Sequence, residues 1–144
     1  MEDKIKILFD SYHLYHLPQF EPLIDLLKDD DMFDIFHSTS NEIPKQEFEL
    51  CVSILKKKPG VFITASSEAE RQNKIHNLDL DFFICGWSRY DIDKYVSRKT
   101  IVGMIYHGIG IKPSYWLDNH HRLDIRFVEG EYRVQQLKQN GVET

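Results

Sequence analysis

The chain has 144 residues, a net charge of −5, 42% hydrophobic residues and 28% charged residues. This size and composition suit one folded domain with its own apolar core and exclude a disordered chain. The acidic balance argues against a nucleic-acid partner, which would favour a basic face.

Apolar runs that predict strands alternate with helical patterns along the whole chain. The predicted strands are 5–10, 33–37, 61–64, 80–85, 100–106 and 123–128. Apolar residues recur every three or four positions over 14–28, which predicts one face of a helix, and Pro18 is typical of a first helical turn. Ser67 and Glu70 have the spacing of a capping box and predict a helix that runs to His76. Further helices are predicted at 44–57, 92–96 and 131–139, with another start at Pro113.

Strands that are separated by helices imply right-handed crossovers and a parallel sheet. Several of the strands are almost continuously apolar, as a sheet covered on both faces requires. The sequence therefore predicts one α/β domain over residues 1–144. We expect a three-layer, Rossmann-like sandwich with a mainly parallel sheet of about six strands.

Ligands of such sheets bind beyond the carboxyl ends of the strands. The segments that follow the predicted strands are 11–13, 38–40, 65–67, 86–89, 107–112 and 129–131. They carry many small, polar and ionisable side chains. None contains the glycine patterns that bind dinucleotides or nucleoside triphosphates, so we predict no cofactor.

The segment after the fifth strand carries the strongest functional signal. His107 follows the strand directly, and Gly108 and Gly110 permit a close approach by a ligand. Lys112 adds a cation just before the helix start at Pro113, where the amide end favours anions. The pKa of histidine is close to working pH, so this group suits activation of a hydroxyl beside a phosphate. An equally open alternative is that the glycines serve only a tight turn and that His107 bonds a buried carbonyl.

The run from Tyr106 to Lys112, Tyr-His-Gly-Ile-Gly-Ile-Lys, resembles the His-Gly-x-x-x-Lys segment of the CDP-glycerol glycerophosphotransferase family. The strand, turn and helix over 123–142 are similar to the part of that family that leads into its interdomain crossover. These teichoic-acid-type enzymes have a two-domain glycosyltransferase-B architecture. The resemblance therefore implies that the predicted sheet is one half of such a fold.

Carried over residue by residue, the resemblance implies that His107 is the catalytic base and that Lys112 helps to hold phosphate. The family usually has a Thr-Pro pair where this chain has Ile109 and Gly110, so we expect a loop of different shape. In the family, the half that binds the CDP-activated donor follows this region. The resemblance thus implies an acceptor-side domain that works with a separate nucleotide-binding domain and has little or no activity alone.

Two other strand ends carry candidate site residues. His13, after the first strand, is a second candidate base, with capping of the first helix as its alternative. Ser11 in the same segment is a candidate substrate-binding residue. Arg89, after the fourth strand, is another, because a guanidinium pairs well with phosphate, and surface packing is its alternative.

No metal site is predicted. His120 and His121 lie beside Asp118, but adjacent residues of a helix do not face the same way. Cys51 and Cys85 lack metal-ligand spacing, and we expect both to be buried and reduced.

Two functions follow as hypotheses. The first is the acceptor-binding domain of a glycerophosphotransferase- or glycosyltransferase-like enzyme of cell-surface polymer synthesis, which takes a phosphorylated polyol or sugar. The second is a non-catalytic α/β module that binds such a ligand or a protein partner. No secretory segment precedes the first strand, which favours a cytoplasmic protein, and peripheral association with a membrane stays open.

Overall fold

The computed structural model describes residues 3–108, 110, 112–117 and 120–142. Its strands are β1 (Ile5–Asp10), β2 (Phe33–Ser38), β3 (Val61–Phe62), β4 (Phe82–Cys85), β5 (Ile101–Ile105) and β6 (Ile125–Phe127). Its α-helices are α1 (Leu17–Leu27), α2 (Lys45–Leu55), α3 (Glu68–Asn77), α4 (Ser114–Leu117) and α5 (Glu131–Gln139). Short 3-10 helices occupy Leu14–His16 and Ile92–Lys94. Strands and helices alternate, as the sequence predicts.

The six strands form one sheet in the order β3-β2-β1-β4-β5-β6, and every neighbouring pair is parallel. The predicted Rossmann-like sandwich is confirmed, and the sheet is parallel throughout. The strand order switches direction at β1, because β2 and β3 lie on one side of it and β4 to β6 on the other. The crevice beyond the strand ends at such a switch is the usual ligand position in open α/β sheets.

Alternate side chains of each strand enter opposite layers of the core. One layer joins the sheet to α1 and α2 and contains Ile7, Phe9, Phe20, Ile24, Ile35, Cys51, Leu55 and Ile84. The other joins the sheet to α3 and the second 3-10 helix and contains Leu8, Ile75, Phe83, Cys85, Ile92, Val102 and Met104. Both cysteines are buried, as predicted, and they form no disulfide with each other.

Some elements are shorter than the sequence predicts. β3 ends at Phe62 rather than at 64, and β6 covers 125–127 rather than 123–128. Both are edge strands that pair on one side only, so fewer ladder hydrogen bonds hold their ends. The first helix begins at Leu17, with Pro18 in its first turn, because the preceding residues form the 3-10 helix.

The start of α3 follows the predicted capping pattern with one change. Ser67 Oγ accepts a hydrogen bond of 3.1 Å from the backbone N–H of Glu70. The Glu70 carboxylate reaches one residue further back than a capping box does, and accepts from the N–H and hydroxyl of Ser66 at 2.7 and 2.6 Å. Both interactions supply partners for groups at a helix N-terminus.

A buried ionic network lies at the carboxyl end of β1. Arg71 Nη1 of α3 donates to Asp10 Oδ1 at 2.6 Å, and the Ser38 hydroxyl donates to the same oxygen at 2.7 Å. The Tyr90 hydroxyl donates to Asp10 Oδ2 at 2.7 Å, and Arg71 Nε donates to Glu68 at 3.0 Å. Although burial acts to raise it, the hydrogen bond and charge of Arg71 lower the pKa of Glu68. The network therefore joins β1, β2 and α3 through one guanidinium that pairs with two carboxylates largely away from water.

Candidate functional site

A cleft of about 430 Å³ opens beyond the carboxyl ends of β4 and β5. Its lining comprises Tyr15, Gly86, Trp87, Ser88, Arg89, Met104, Tyr106, His107, Lys112, Ser114, Tyr115 and Leu117. The 3-10 helix after β1 forms one wall, the segment after β4 the second, and the segment after β5 with α4 the third. The volume is within the range of small-molecule sites.

His107 lines this cleft in a defined orientation. Its Nδ1 lies 2.9 Å from the carbonyl oxygen of Gly86. A carbonyl can only accept a hydrogen bond, so Nδ1 carries the proton of the neutral ring and Nε2 keeps a free lone pair. His107 thus bonds a backbone carbonyl, which was the structural interpretation of its sequence. It also presents a nitrogen with a free lone pair, which the interpretation as a base requires.

The ring of His16 packs against the ring of His107. Its Nδ1 accepts a hydrogen bond of 3.3 Å from the backbone N–H of His13, so the proton of the neutral ring is on Nε2. The ring is fully buried, and its centroid lies 5.0 Å from that of His107. Burial first, and then the nearby His107 and His13, lower the pKa of His16 to about 3. His16 is therefore a neutral ring at physiological pH.

Gly86 contacts both rings. A Cβ atom at this position would lie 2.6 Å from two ring atoms of His16, which is too close for any side chain. The glycine thus allows His16 to pack against the backbone whose carbonyl orients His107.

Two cations face the cleft. The Arg89 guanidinium lies 5.5 Å from the ring centroid of Trp87, and Lys112 is exposed. No carboxylate appears among the described residues that line the cleft, although the chain as a whole has a charge of −5. The cleft is therefore electropositive on an acidic molecule, which favours an anionic ligand.

The two glycines of the loop have different surroundings. A Cβ at Gly110 would lie 2.2 Å from the ring of Tyr115, and the Gly110 carbonyl accepts a 2.5 Å hydrogen bond from Arg133. Gly108 is exposed with a φ of 154°, and a Cβ there would meet only the Tyr115 hydroxyl, at 3.9 Å. Gly110 is thus required for packing, whereas Gly108 leaves the approach to His107 open.

His13 and Ser11 lie outside the cleft lining. His13 Nδ1 lies 3.0 Å from Glu47 Oε1, which also accepts from the backbone N–H of Leu14. Ser11 is fully buried, and its backbone N–H donates to the carbonyl of Ser38 at 3.0 Å. The structure therefore brings Arg89, His107 and Lys112 together but does not add Ser11 or His13 to them.

Tyr15 and His16 are site residues that were not predicted from the sequence, whereas Tyr115, just beyond Lys112, was a candidate for an apolar wall or an interface. Tyr15 and Tyr115 form aromatic walls beside His107, with ring centroids 5.3 and 6.0 Å from the imidazole. A local signal was present, because Tyr12, His13, Tyr15 and His16 place four rings within five positions directly after a strand.

The His120–His121 pair is arranged differently from the prediction. The two rings stack at 4.8 Å because the residues lie in a turn rather than a helix. His121 Nε2 lies 3.1 Å from Asp93, and Asp118 falls outside the described residues. Within the described part of the chain, no three His, Cys, Asp or Glu side chains are grouped so that they could hold a metal ion.

Neither a protein-family model nor a curated protein matches the chain. Among the helices that the structure describes, none is both long enough and apolar enough to cross a lipid bilayer.

Proposed function

We propose that the cleft binds a phosphorylated polyol or sugar, and that the chain is the acceptor-binding part of a glycerophosphotransferase-type enzyme. The observation that carries this proposal is the shared position of His107, Arg89 and Lys112 on one cleft without a lining carboxylate in the described residues. It combines a base with two cations beyond the carboxyl ends of parallel strands, next to the topological switch point between β1 and β4. The resemblance of 106–112 to the family segment supports the same assignment.

In this proposal the ligand's phosphate pairs with the guanidinium of Arg89 and the ammonium of Lys112. A guanidinium offers two parallel N–H donors to phosphate, and the ammonium adds a point charge. The aromatic side chains of Tyr15, Trp87 and Tyr115 form apolar walls against the carbon skeleton of the ligand. The ligand's hydroxyl then lies within reach of His107.

The proposed reaction is phosphoryl transfer to that hydroxyl. His107 Nε2 removes the hydroxyl proton while the oxygen attacks the phosphorus of an activated donor. The bond between that phosphorus and the nucleotide oxygen breaks, and the nucleotide leaves with its electron pair. Donor binding and stabilisation of the leaving charge belong to a separate nucleotide-binding domain, since the cleft supplies only the acceptor side.

Ligand titrations test the binding step. We expect sn-glycerol 3-phosphate to bind in isothermal titration calorimetry and to perturb the His107 ring signals in NMR spectra. Arg89→Gln and Lys112→Gln should each weaken binding by about tenfold, as the loss of one charged contact predicts. Lys56→Gln, which removes an exposed lysine at the end of α2, is the matched control. Unchanged affinity in both cleft variants would refute the proposal, as would tighter binding of CDP-glycerol than of the acceptor.

One observation favours the second candidate, a non-catalytic module that binds the same kind of ligand. The partner that orients His107 is a backbone carbonyl, whereas a carboxylate orients the general-base histidine in Ser-His-Asp triads and stabilises its imidazolium form. The variant His107→Asn separates the two candidates once a nucleotide-binding partner is supplied. Loss of transfer with retained binding supports the catalytic role, and equal transfer by both proteins excludes it.

A further inference from the structure

The edge of the sheet at β6 carries an uncovered apolar strip. Ile101, Ile125 and Phe127 keep 39%, 39% and 47% of their surface exposed. The β5–β6 register pairs Ile125 with Gly103 and Phe127 with Ile105, so these side chains share one face of the sheet with Ile101. Ile105 on this face packs against the core layer under α1 and α2, but the outer part beside it stays exposed.

Opposite charges lie on the other face of the same strand. Asp124 and Arg126 are two positions apart and therefore point to the same side. Arg126 donates to the Tyr106 hydroxyl at 3.1 Å, and Asp124 lies 3.8 Å from Arg122 and accepts from the N–H of Val102. Asp124 is exposed and Arg126 half-buried, so both side chains keep contact with solvent.

We infer that β6 pairs antiparallel with β6 of a second copy of this chain, in a register centred on Ile125. In this register Asp124 lies opposite Arg126 of the partner subunit, and Arg126 opposite Asp124 of the partner subunit. A register centred on Arg126 would place two arginines opposite each other, which is unfavourable. The charge pattern is thus complementary to itself under a two-fold axis.

The apolar strip also supports a second copy of this chain as the partner. On the opposite face, Ile125 meets its symmetry mate, and the two copies of Phe127 extend the contact along the strip. An edge strand also presents unpaired backbone N–H and C=O groups, which an antiparallel neighbour satisfies. A two-fold dimer therefore covers the apolar surface, the backbone edge and the two charges together.

A charge exchange tests the register. Arg126→Asp places Asp opposite Asp in its own homodimer, and Asp124→Arg places Arg opposite Arg, so each variant alone should dimerise about tenfold more weakly. An equimolar mixture restores both opposite-charge pairs. At a concentration close to the wild-type dissociation constant, we expect sedimentation velocity to detect dimers in the wild type and in the mixture, and mainly monomers in each variant alone. Dimers of equal strength in the wild type and both single variants would overturn the register.

A second pair of variants tests the surface itself and does not depend on the charged residues. Phe127→Glu should abolish dimerisation, whereas Val61→Glu, at an exposed apolar position of the opposite edge strand, should leave it intact. Circular dichroism establishes that each variant is folded. A wild-type chain that stays monomeric up to millimolar concentration would overturn the inference and assign the strip to another occupant, such as a different domain. Dimers that survive Phe127→Glu would overturn it as well.

Discussion

The burial of His16 makes the stability of the protein depend on pH in a predictable direction. The ordinary histidine pKa of 6.5 applies to the unfolded chain, whereas burial and the neighbouring histidines lower the pKa of His16 to about 3 in the folded state. Between these two values the unfolded chain binds a proton at His16 that the folded chain does not. Stability is therefore complete above the unfolded value and falls as the pH decreases towards the folded one.

The size of the effect follows from the two pKa values. At pH 5 the unfolded chain gains about 2 kcal/mol from protonation of this one ring, relative to pH 7, and the folded ring stays neutral. A comparison with a variant that lacks this ring isolates the contribution of His16 from those of all other groups. In His16→Asn, the side-chain oxygen can replace Nδ1 as acceptor for the His13 N–H, and the titrating group is gone.

Urea unfolding at pH 7 and pH 5 measures this difference. We expect the wild type to lose about 2 kcal/mol more than His16→Asn between the two conditions. His76→Asn, which removes an exposed histidine of α3, is the matched control and should lose as much stability as the wild type. An equal loss in wild type and His16→Asn would refute the assignment of His16 as a buried neutral ring.

Three further substitutions test the packing around the strand ends. Arg71→Leu should destabilise the protein by about 3–5 kcal/mol in urea unfolding, because it leaves the buried carboxylate of Asp10 without its cation; a loss under 1 kcal/mol would contradict a buried charge pair. Gly86→Ala should cost about 1–3 kcal/mol through overpacking against His16, and should also weaken ligand binding in the cleft; full stability would show that the ring can move aside. Ser67→Ala should cost about 1 kcal/mol by loss of the helix cap, as thermal unfolding can measure, and an unchanged Tm would exclude that role for the hydroxyl.

The sequence predicts the order and type of the elements because each strand is an apolar run that ends in small or polar residues. It overestimates the lengths of β3 and β6, because the side-chain pattern does not show how many neighbouring strands a strand has. An edge strand and a central strand look alike until the sheet order is known. Because the sequence does not show that β6 lies at an edge, its pattern gave no indication that its apolar face is exposed.

The sequence predicted those candidate site residues whose placement depends only on which strand they follow. Arg89, His107 and Lys112 follow neighbouring strands, and parallel strands bring their carboxyl ends to one edge. Ser11 also follows a strand, but its side chain is enclosed, and position after a strand does not specify exposure. His16 escaped notice because its burial depends on Gly86, a residue far along the chain whose missing side chain makes the space.

The strand order also has a consequence for how the molecule assembles. β1 joins β2 through pairs such as Ile5 with Phe33, but it meets β4 only when Phe82 reaches Ile7. The first half of the sheet can therefore form from nearby segments, and the second half must wait for a long-range closure that costs chain entropy. During synthesis β1 thus remains an open edge until most of the chain has emerged.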